Sequence, residues 1–329
     1  MNTISIYLLK ALRKLYGKAF RIPEKPVLTY EKNPEKASRM ISELLLNDKP
    51  CMIARFGSTE LATITNYIGV INKRKNILKY IQGIEPEWWW NPNIMEQMQK
   101  WSGFFPPTQQ NIERFCQMII NDTQDVDLLG CWIKGESILN NKLANAQFIH
   151  LRFLEPFWSS SPWTQTLKNK KVLVIHPFAK LIEEQYKNKR TCIFDNSQIL
   201  PEFELQTIPA VQSLGGEHNK FQNWFEALEW MKDEINKRNY DICLIGCGAY
   251  GFPLAAHVKR MGKKAIHLGG ALQLLFGIRG KRWEDPNYGV KAWGMPYGSY
   301  TSLINDFWVR PGEANKPRNA DQVEGACYW

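Results

Sequence analysis

Short apolar runs alternate with segments of helical periodicity along most of the chain. Five of the runs are predicted to be buried strands, at residues 50–54, 126–132, 172–176, 241–246 and 265–268. Helical periodicity is clearest between and around them, at residues 37–47, 59–67, 221–238 and 253–261. Buried strands that alternate with helices are typical of a mostly parallel α/β sheet with helices on both faces.

The first 36 residues have a different pattern. Over residues 3–20, Leu8, Leu12, Leu15 and Ala19 share one face of a predicted helix. The charges from residue 3 to residue 21 are all basic, on Lys10, Arg13, Lys14, Lys18 and Arg21. Such a helix can lie in a membrane interface beside anionic lipid, or it can pack on its own domain with a solvated basic face. Prolines and charges then predict a linker, so we divide the chain into residues 1–36 and a single domain at residues 37–329.

Composition narrows the possible partners and location. Lys and Arg number 42 against 32 Asp and Glu, and the net charge of +10 favours anionic partners. The basic residues are dispersed and no recognition module is visible, so nucleic acid is not an expected partner. Seven cysteines without zinc spacing predict a reduced, cytoplasmic protein. No apolar stretch approaches the roughly 20 residues that span a bilayer, and no secretory signal is visible.

A glycine-rich turn follows the predicted strand at residues 241–246. Gly246, Gly248 and Gly251 fit the pattern GxGxxG, which brings backbone N–H groups and a helix N-terminus toward a phosphate. Dinucleotide-binding and methyltransferase folds carry an acidic residue at the end of the next strand. That strand ends here in His-Leu-Gly-Gly, which counts against NAD and S-adenosylmethionine. Gly269 and Gly270 instead widen the crevice above the sheet, although tight helix–strand packing would also explain these glycines.

A second turn, ARFGSTEL at residues 54–61, follows the first predicted strand. A helix that begins near Ser58 would place the Glu60 carboxylate at its positive end, and this alone could explain the glutamate. It does not explain Arg55 and Gly57, which put a guanidinium and an unhindered backbone at the mouth of the sheet. Arginine suits phosphate because its fork of donors is planar and always charged.

This turn resembles the Arg-Tyr/Phe-Gly-Asp-x-Glu signature of GT-D type glycosyltransferases. The later segment GCGAYGFPLAAHVKRMGKKAIHLGGALQLLFG is similar to that family's glycine turn, helix, strand and following helix. The similarity extends over about residues 50–280. It implies a Rossmann-like sheet, a UDP-type nucleotide sugar as donor, and a D-x-E element that handles metal and diphosphate. By position that element falls on residues 58–60.

The sequence departs from the family pattern at Ser58, which replaces the first acid of the element. Serine brings no charge to offset Mn²⁺ or Mg²⁺. Either Glu60 holds the ion together with waters, or Arg55, other basic groups and backbone N–H groups neutralise the diphosphate. Glu60 is therefore expected to be the catalytic base or a metal ligand, and Arg55, Gly57, Ser58 and the two groups of glycines are expected to bind the donor.

Other residues could add to the same edge of the sheet. His176 ends another predicted strand and could donate to phosphate, act as a catalytic base, or be hydrogen-bonded within the fold. Arg279 is predicted to bind the donor, with Lys281 and Arg282 as further positive charge or as part of a solvated loop. The irregular segment 281–329 is expected to wrap the sheet or to close over a site.

Two further motifs have a structural and a functional interpretation. The three tryptophans at residues 88–90 could contact sugar, membrane or a partner, or form a buried aromatic cluster beneath a loop. Asp125-Val126-Asp127 resembles the D-x-D element of other glycosyltransferases, but it precedes a predicted strand. We interpret it as a turn at the start of that strand.

The sequence as a whole predicts a glycosyltransferase at the inner face of the membrane. It would move a hexose or related sugar from a nucleotide-diphosphate sugar to a lipid-linked or growing surface polysaccharide. Two alternatives stay open: a methyltransferase or NAD-dependent enzyme with a Rossmann-like sheet, and a non-catalytic protein of the polysaccharide machinery. A fold alone does not distinguish these functions.

Overall fold

The computed structural model describes residues 2–213, 221–317, 320–322 and 325–329. Its strands are β1 Cys51–Ala54, β2 Leu128–Cys131, β3 Gln147–His150, β4 Lys171–His176, β5 Glu204–Pro209, β6 Ile242–Ile245 and β7 Lys264–His267. In the described parts of the chain these strands form one parallel sheet with the order β3-β2-β1-β7-β6-β4-β5. The predicted α/β class with a Rossmann-like parallel sheet is confirmed.

Helices cover both faces of this sheet. They are α1 Thr3–Ala19, α2 Pro34–Leu46, α3 Ser58–Ile71, α4 Ile77–Ile81, α5 Pro92–Ser102, α6 Gln109–Asp122, α7 Ala179–Ile193, α8 Trp224–Asn236, α9 Gly251–Arg260, α10 Leu272–Leu275, α11 Lys281–Glu284 and α12 Val290–Trp293. Helices α3, α6, α8 and α9 pack on one face, and α2, α7 and α10 pack on the other. Alternate strand residues supply the two cores, as Met52 and Ile53 do in β1.

The connections create a crevice at the carboxyl edge of the sheet. β4 leads into α7 on one face, and the neighbouring β6 leads into α9 on the opposite face. The connections that follow these two adjacent strands therefore run to opposite faces of the sheet. In open α/β sheets this topological switch point is where ligands bind.

The three tryptophans at residues 88–90 form an aromatic cluster within the domain. Trp89 is buried, and its ring centroid lies 5.2 Å from that of Tyr80 in α4 and 5.4 Å from that of Trp88. Trp90 stacks on Tyr67 of α3 at 6.1 Å. This agrees with the buried-cluster interpretation, and the cluster also supports α1, because Leu9 packs into it.

Residues before the first strand are tied to the sheet and to the domain. Glu31 of the linker pairs with Ile149 of β3, since its N–H donates to the Phe148 carbonyl at 2.9 Å and its carbonyl accepts the His150 N–H at 3.1 Å. Among the described helices, none combines the length and the hydropathy needed to cross a bilayer.

Asp127 lies at the amino-terminal start of β2, at the opposite edge of the sheet from the crevice. Its Oδ2 accepts the N–H of Met52 at 2.8 Å, and Lys259 Nζ lies 2.7 Å from the same oxygen. Asp125 pairs with Arg260 of α9. The interpretation of this segment as a turn that starts the strand is confirmed.

We expect Asp127→Ala to lower the free energy of unfolding by about 1–3 kcal/mol, because it removes the acceptor of a buried backbone N–H. Urea denaturation measures this change. Asp125→Ala is the matched control and should cost less, since Arg260 keeps a second partner in Asp122. Unchanged stability of the Asp127 variant would contradict the structural role.

Candidate functional site

A cavity of about 670 Å³ opens at the carboxyl edge of the sheet, over the crevice. The turns that follow β1, β6 and β7 form much of its wall, and β7 lies between the other two strands. The predicted residues that line it are Arg55, Gly57, Ser58, Glu60, His176, Gly246, Gly248, Gly269 and Gly270. The two glycine-bearing turns therefore converge on one edge of one sheet.

Arg55 follows β1, and two neighbours fix its guanidinium. Its Nε and Nη2 donate to the Phe56 carbonyl at 3.1 and 2.9 Å. The indole of Trp132, which follows β2, donates to the same carbonyl at 2.9 Å, and its ring centroid lies 5.0 Å from Arg55 Cζ. Arg55 Nη1 has no hydrogen-bond partner among the described residues. Burial lowers the pKa of Arg55, but a guanidinium keeps its charge at neutral pH. The cavity wall thus holds an oriented cation with a free donor.

Gly246 and Gly269 allow the turns that follow β1, β6 and β7 to pack closely together. Gly269 has a φ of +65°, and a Cβ there would lie 2.7 Å from Arg55 Nη1. A Cβ on Gly246 would lie 2.7 Å from the Gly269 carbonyl oxygen and 2.8 Å from His176 Cδ2. Gly251 was predicted to bind the donor, but it does not line the cavity. It packs against the His267 ring, where a Cβ would overlap the imidazole.

Helices α3 and α9 both begin at the cavity without a side-chain cap. The first N–H groups of an α-helix have no acceptor within the helix. Gly57 is the N-cap of α3 and offers no side-chain oxygen, and Ser58 behind it faces the cavity. In the turn before α9, the N–H groups of residues 247–249 have no acceptor among the described residues. Both turns therefore present backbone donors to an anion.

Glu60 lies in the first turn of α3, half-buried in the cavity wall. Its carboxylate folds back over Gly57, where any Cβ would overlap Oε2. The structure gives this carboxylate no hydrogen bond or ion pair with the residues it describes. Its oxygens are thus not committed to capping the helix, and they are free to contact a ligand.

His176 and His267 end β4 and β7 and are both buried. Burial lowers the pKa of each to about 3, with the Arg55 charge as a second cause for His267. Both imidazoles are therefore neutral at physiological pH. His176 Nδ1 accepts the N–H of Phe178 at 3.0 Å, so its proton is on Nε2. This geometry favours the donor role of His176 over the predicted role as a base.

His267 has a buried polar atom without a partner. By distance and angle, nothing among the described residues forms a hydrogen bond with its Nδ1, although the Arg55 backbone lies close enough to affect the pKa of the ring. Unsatisfied buried polar atoms are rare in folded proteins and are commonly found at functional sites. His267 also lines the cavity, which adds a second polar histidine beside the turns.

Arg282, in the C-terminal segment, is a second arginine that lines the cavity. Its Nη1 lies 3.4 Å from the Tyr328 hydroxyl, and its Cζ lies 4.9 Å from the Tyr328 ring centroid. Burial lowers the pKa of Arg282, but Tyr328, Cys327 and Tyr288 together raise it further, so the group is charged. The described parts of segment 281–329 therefore close over the cavity in part, as one of the two expectations for this segment proposed.

Arg279 was predicted to bind the donor, and the structure places it outside the cavity lining. Its Nε lies 3.4 Å from Glu284 Oε1, and its backbone N–H donates to the Val309 carbonyl. Lys281 is also outside the lining. The three basic residues follow one another in an irregular segment, so no periodicity in the sequence indicates which of them turns toward the sheet.

Sequence reasoning also missed a pair that positions Arg55. The buried Glu136 carboxylate accepts the N–H of Trp132 at 3.3 Å, and Trp132 stacks on the guanidinium. Burial raises the pKa of Glu136 to about 7. The position of Trp132 at the end of a predicted strand was an available signal, whereas nothing in the sequence pattern indicates Glu136.

The donor set does not fit a divalent metal. Glu60 supplies the one carboxylate among the described residues that line the cavity, and its neighbours are Ser58 and the Arg55 cation. Within the described ranges, no group of three or more His, Cys, Asp or Glu side chains converges as metal ligands. The arginines and backbone N–H groups are the stronger candidates to meet a negative charge.

Glu136 should make stability depend on pH. Its carboxyl pKa rises from 4.5 to about 7 on folding, so the folded state binds more protons over that interval. Stability should therefore fall as pH rises toward 7 and level off above it. We expect the unfolding free energy of the native chain, measured relative to that of Glu136→Gln, to be about 2–3 kcal/mol lower at pH 8 than at pH 5. Urea denaturation of both proteins at the two pH values measures this difference. A difference that does not change with pH would contradict the assignment.

Comparison of the chain with protein-family models, with curated proteins and with solved structures gave no match. The resemblance to GT-D type glycosyltransferases therefore stays a prediction, and the argument for function rests on the geometry of the cavity.

Proposed function

We propose that this chain is a glycosyltransferase that takes its sugar from a nucleotide-diphosphate donor. The observation that carries the proposal is the convergence of Arg55, Arg282 and two uncapped helix N-termini on one cavity. Its volume of about 670 Å³ is within the range of roughly 300–1,000 Å³ that is usual for small-molecule sites.

The diphosphate is the part of the donor that these groups suit best. Arg55 offers a free Nη1, and its other nitrogens are already fixed on the Phe56 carbonyl. The N-terminal N–H groups of α3 and the turn before α9 add neutral donors. Groups that are oriented before the reaction stabilise charge as it develops on a leaving group, because they need no reorganisation.

Transfer would then proceed by displacement at the anomeric carbon. The acceptor hydroxyl oxygen forms the new bond to that carbon, and the bond to the diphosphate oxygen breaks, with its electron pair left on the diphosphate. In an inverting reaction, Glu60 is our candidate for the base that takes the hydroxyl proton. His176 would donate its Nε2–H to the diphosphate or to a sugar hydroxyl.

The aromatic walls suit the rest of the donor. Trp132, Tyr288, Trp293 and Tyr328 line the cavity together with the arginines. Aromatic faces stack on nucleobases and on the apolar faces of sugars. We further propose a hexose or related sugar as the group transferred, and a lipid-linked or growing polysaccharide as the acceptor.

Nucleotide diphosphate should stabilise the fold without added metal. We expect UDP, GDP or dTDP to raise the melting temperature in EDTA, and S-adenosylmethionine and NAD to leave it unchanged. A ligand at 100 times its dissociation constant adds about 2.7 kcal/mol. Arg55→Ala should remove the shift, and Arg279→Ala, outside the cavity lining, should retain it. A shift with S-adenosylmethionine or NAD alone would favour the other Rossmann-like enzymes, and no shift with any ligand would favour a non-catalytic protein.

Glu60→Gln should abolish transfer while the nucleotide-diphosphate shift and the melting temperature are kept. Loss of a general base lowers turnover by about 10²–10⁴-fold. A screen of UDP-, GDP- and dTDP-sugars for transfer or donor hydrolysis measures the rate. Glu43→Gln, on the exposed surface of α2, is the matched control. Normal turnover by the Glu60 variant would remove this residue from the mechanism.

A further inference from the structure

Helix α1 packs on the domain through apolar and basic side chains together, and its leucine-rich side is in solvent. On the inner side, Leu9 is buried, Lys10 Nζ lies 3.3 Å from Glu87 Oε1, and the Arg13 guanidinium lies 4.7 Å from the Tyr80 ring centroid. On the outer side, Leu8 and Leu15 are 60 and 61% exposed. α1 thus packs on its own domain with Lys14 and Lys18 exposed, as one of the two expectations proposed, but its row of leucines is exposed as well.

The exposed apolar positions form one continuous stripe along the helix. Ile4, Leu8, Leu12 and Leu15 are spaced by three or four residues, so they share a face, and Ile4 is 79% exposed. α4 packs beside α1, and its Ile77 and Leu78 are also 55 and 70% exposed. We call the four residues of α1 the apolar face. Contiguous exposed apolar surface of this kind marks an interaction site more often than a free surface.

Positive charge surrounds the apolar face. Lys14, Lys18 and Arg21 are exposed on and after α1, and the segment 73–75, Lys-Arg-Lys, is exposed directly before α4. α1 itself contains no acidic residue. The nearby Glu87 is turned inward to Lys10. A second copy of the chain would bring the same charges against these, whereas an anionic lipid surface would neutralise them.

We propose that the apolar face docks on an anionic lipid bilayer. α1 would lie in the plane of the interface, with its leucines among the headgroups and upper acyl chains and its lysines beside lipid phosphate. This inference does not depend on the proposed function, because it rests on surfaces outside the cavity.

The linker after α1 connects the proposed docking helix to the cavity. Its residues Val27 and Tyr30 line the cavity wall, and Val27 is 54% exposed.

Co-sedimentation of the full chain with phosphatidylcholine vesicles, with and without phosphatidylglycerol, tests the proposal in the absence of nucleotide. We expect binding to the anionic vesicles, and Leu8→Glu/Leu15→Glu should weaken it by more than about tenfold. Lys14→Glu/Lys18→Glu, which leaves the apolar stripe intact, should also weaken it, and high salt should do the same. Leu46→Glu is the matched control, because Leu46 is a 65% exposed leucine on α2, and it should bind as the native chain does.

Equal binding by the leucine double variant and the native chain would overturn the proposal. A dimer of the native chain would also overturn the proposal, if light scattering shows that the same double variant abolishes it and the native chain does not bind vesicles. A second copy of the chain would then cover the apolar face. The rise in melting temperature that nucleotide diphosphate causes separates the docking proposal from the proposed function. The leucine double variant should keep this rise, since its substitutions are remote from Arg55 and Glu60.

Discussion

The carbonyl oxygen of Phe56 accepts three N–H groups, and the geometry of the cavity depends on it. Two of the donors belong to Arg55 and the third to Trp132, so the turns that follow β1 and β2 are held together at a single atom. The Phe56 ring, in turn, stacks on Phe252 of α9 at 4.9 Å. One residue thus joins the arginine turn to the helix that follows the glycine turn. This is why two segments nearly 200 residues apart in sequence form one site.

The cavity brings the guanidinium groups of Arg55 and Arg282 to one wall together with backbone N–H donors. Burial lowers the pKa of Arg55, Tyr328 and Glu60 raise it, and Arg282 lowers it, so these groups are close enough to interact electrostatically. Burial lowers the pKa of Arg55, so holding its charge has a cost in the absence of a ligand, whereas around Arg282 the effect of burial is outweighed by Tyr328, Cys327 and Tyr288. An anion that contacts both arginines and the backbone N–H groups would offset that cost. The affinity for a diphosphate that we propose would then be a consequence of how the fold buries Arg55.

The sequence predicted those parts of the fold and site that follow from buried strands. The strands at the centre of the sheet are continuous apolar runs, so they and the turns after them could be located, and Arg55 and Gly246 with them. β3 and β5 were missed because they lie at the sheet edges and mix exposed with buried positions, as Gln147 and Glu204 illustrate. Glu136 could not be found, and Arg282 could not be distinguished from Arg279 and Lys281, because their positions depend on how irregular segments fold back. The amphipathic pattern of α1 defined two faces but not which one faces inward.

The two buried histidines have a consequence for how the cavity responds to its surroundings. With pKa values near 3, neither imidazole gains a proton until the medium is strongly acidic. The electrostatic potential that a ligand meets from these rings is therefore constant across the range in which cells operate. In the ligand-free protein these two imidazoles therefore give no titration close to neutrality, whereas burial raises the pKa of Glu136 to about 7 and into that range.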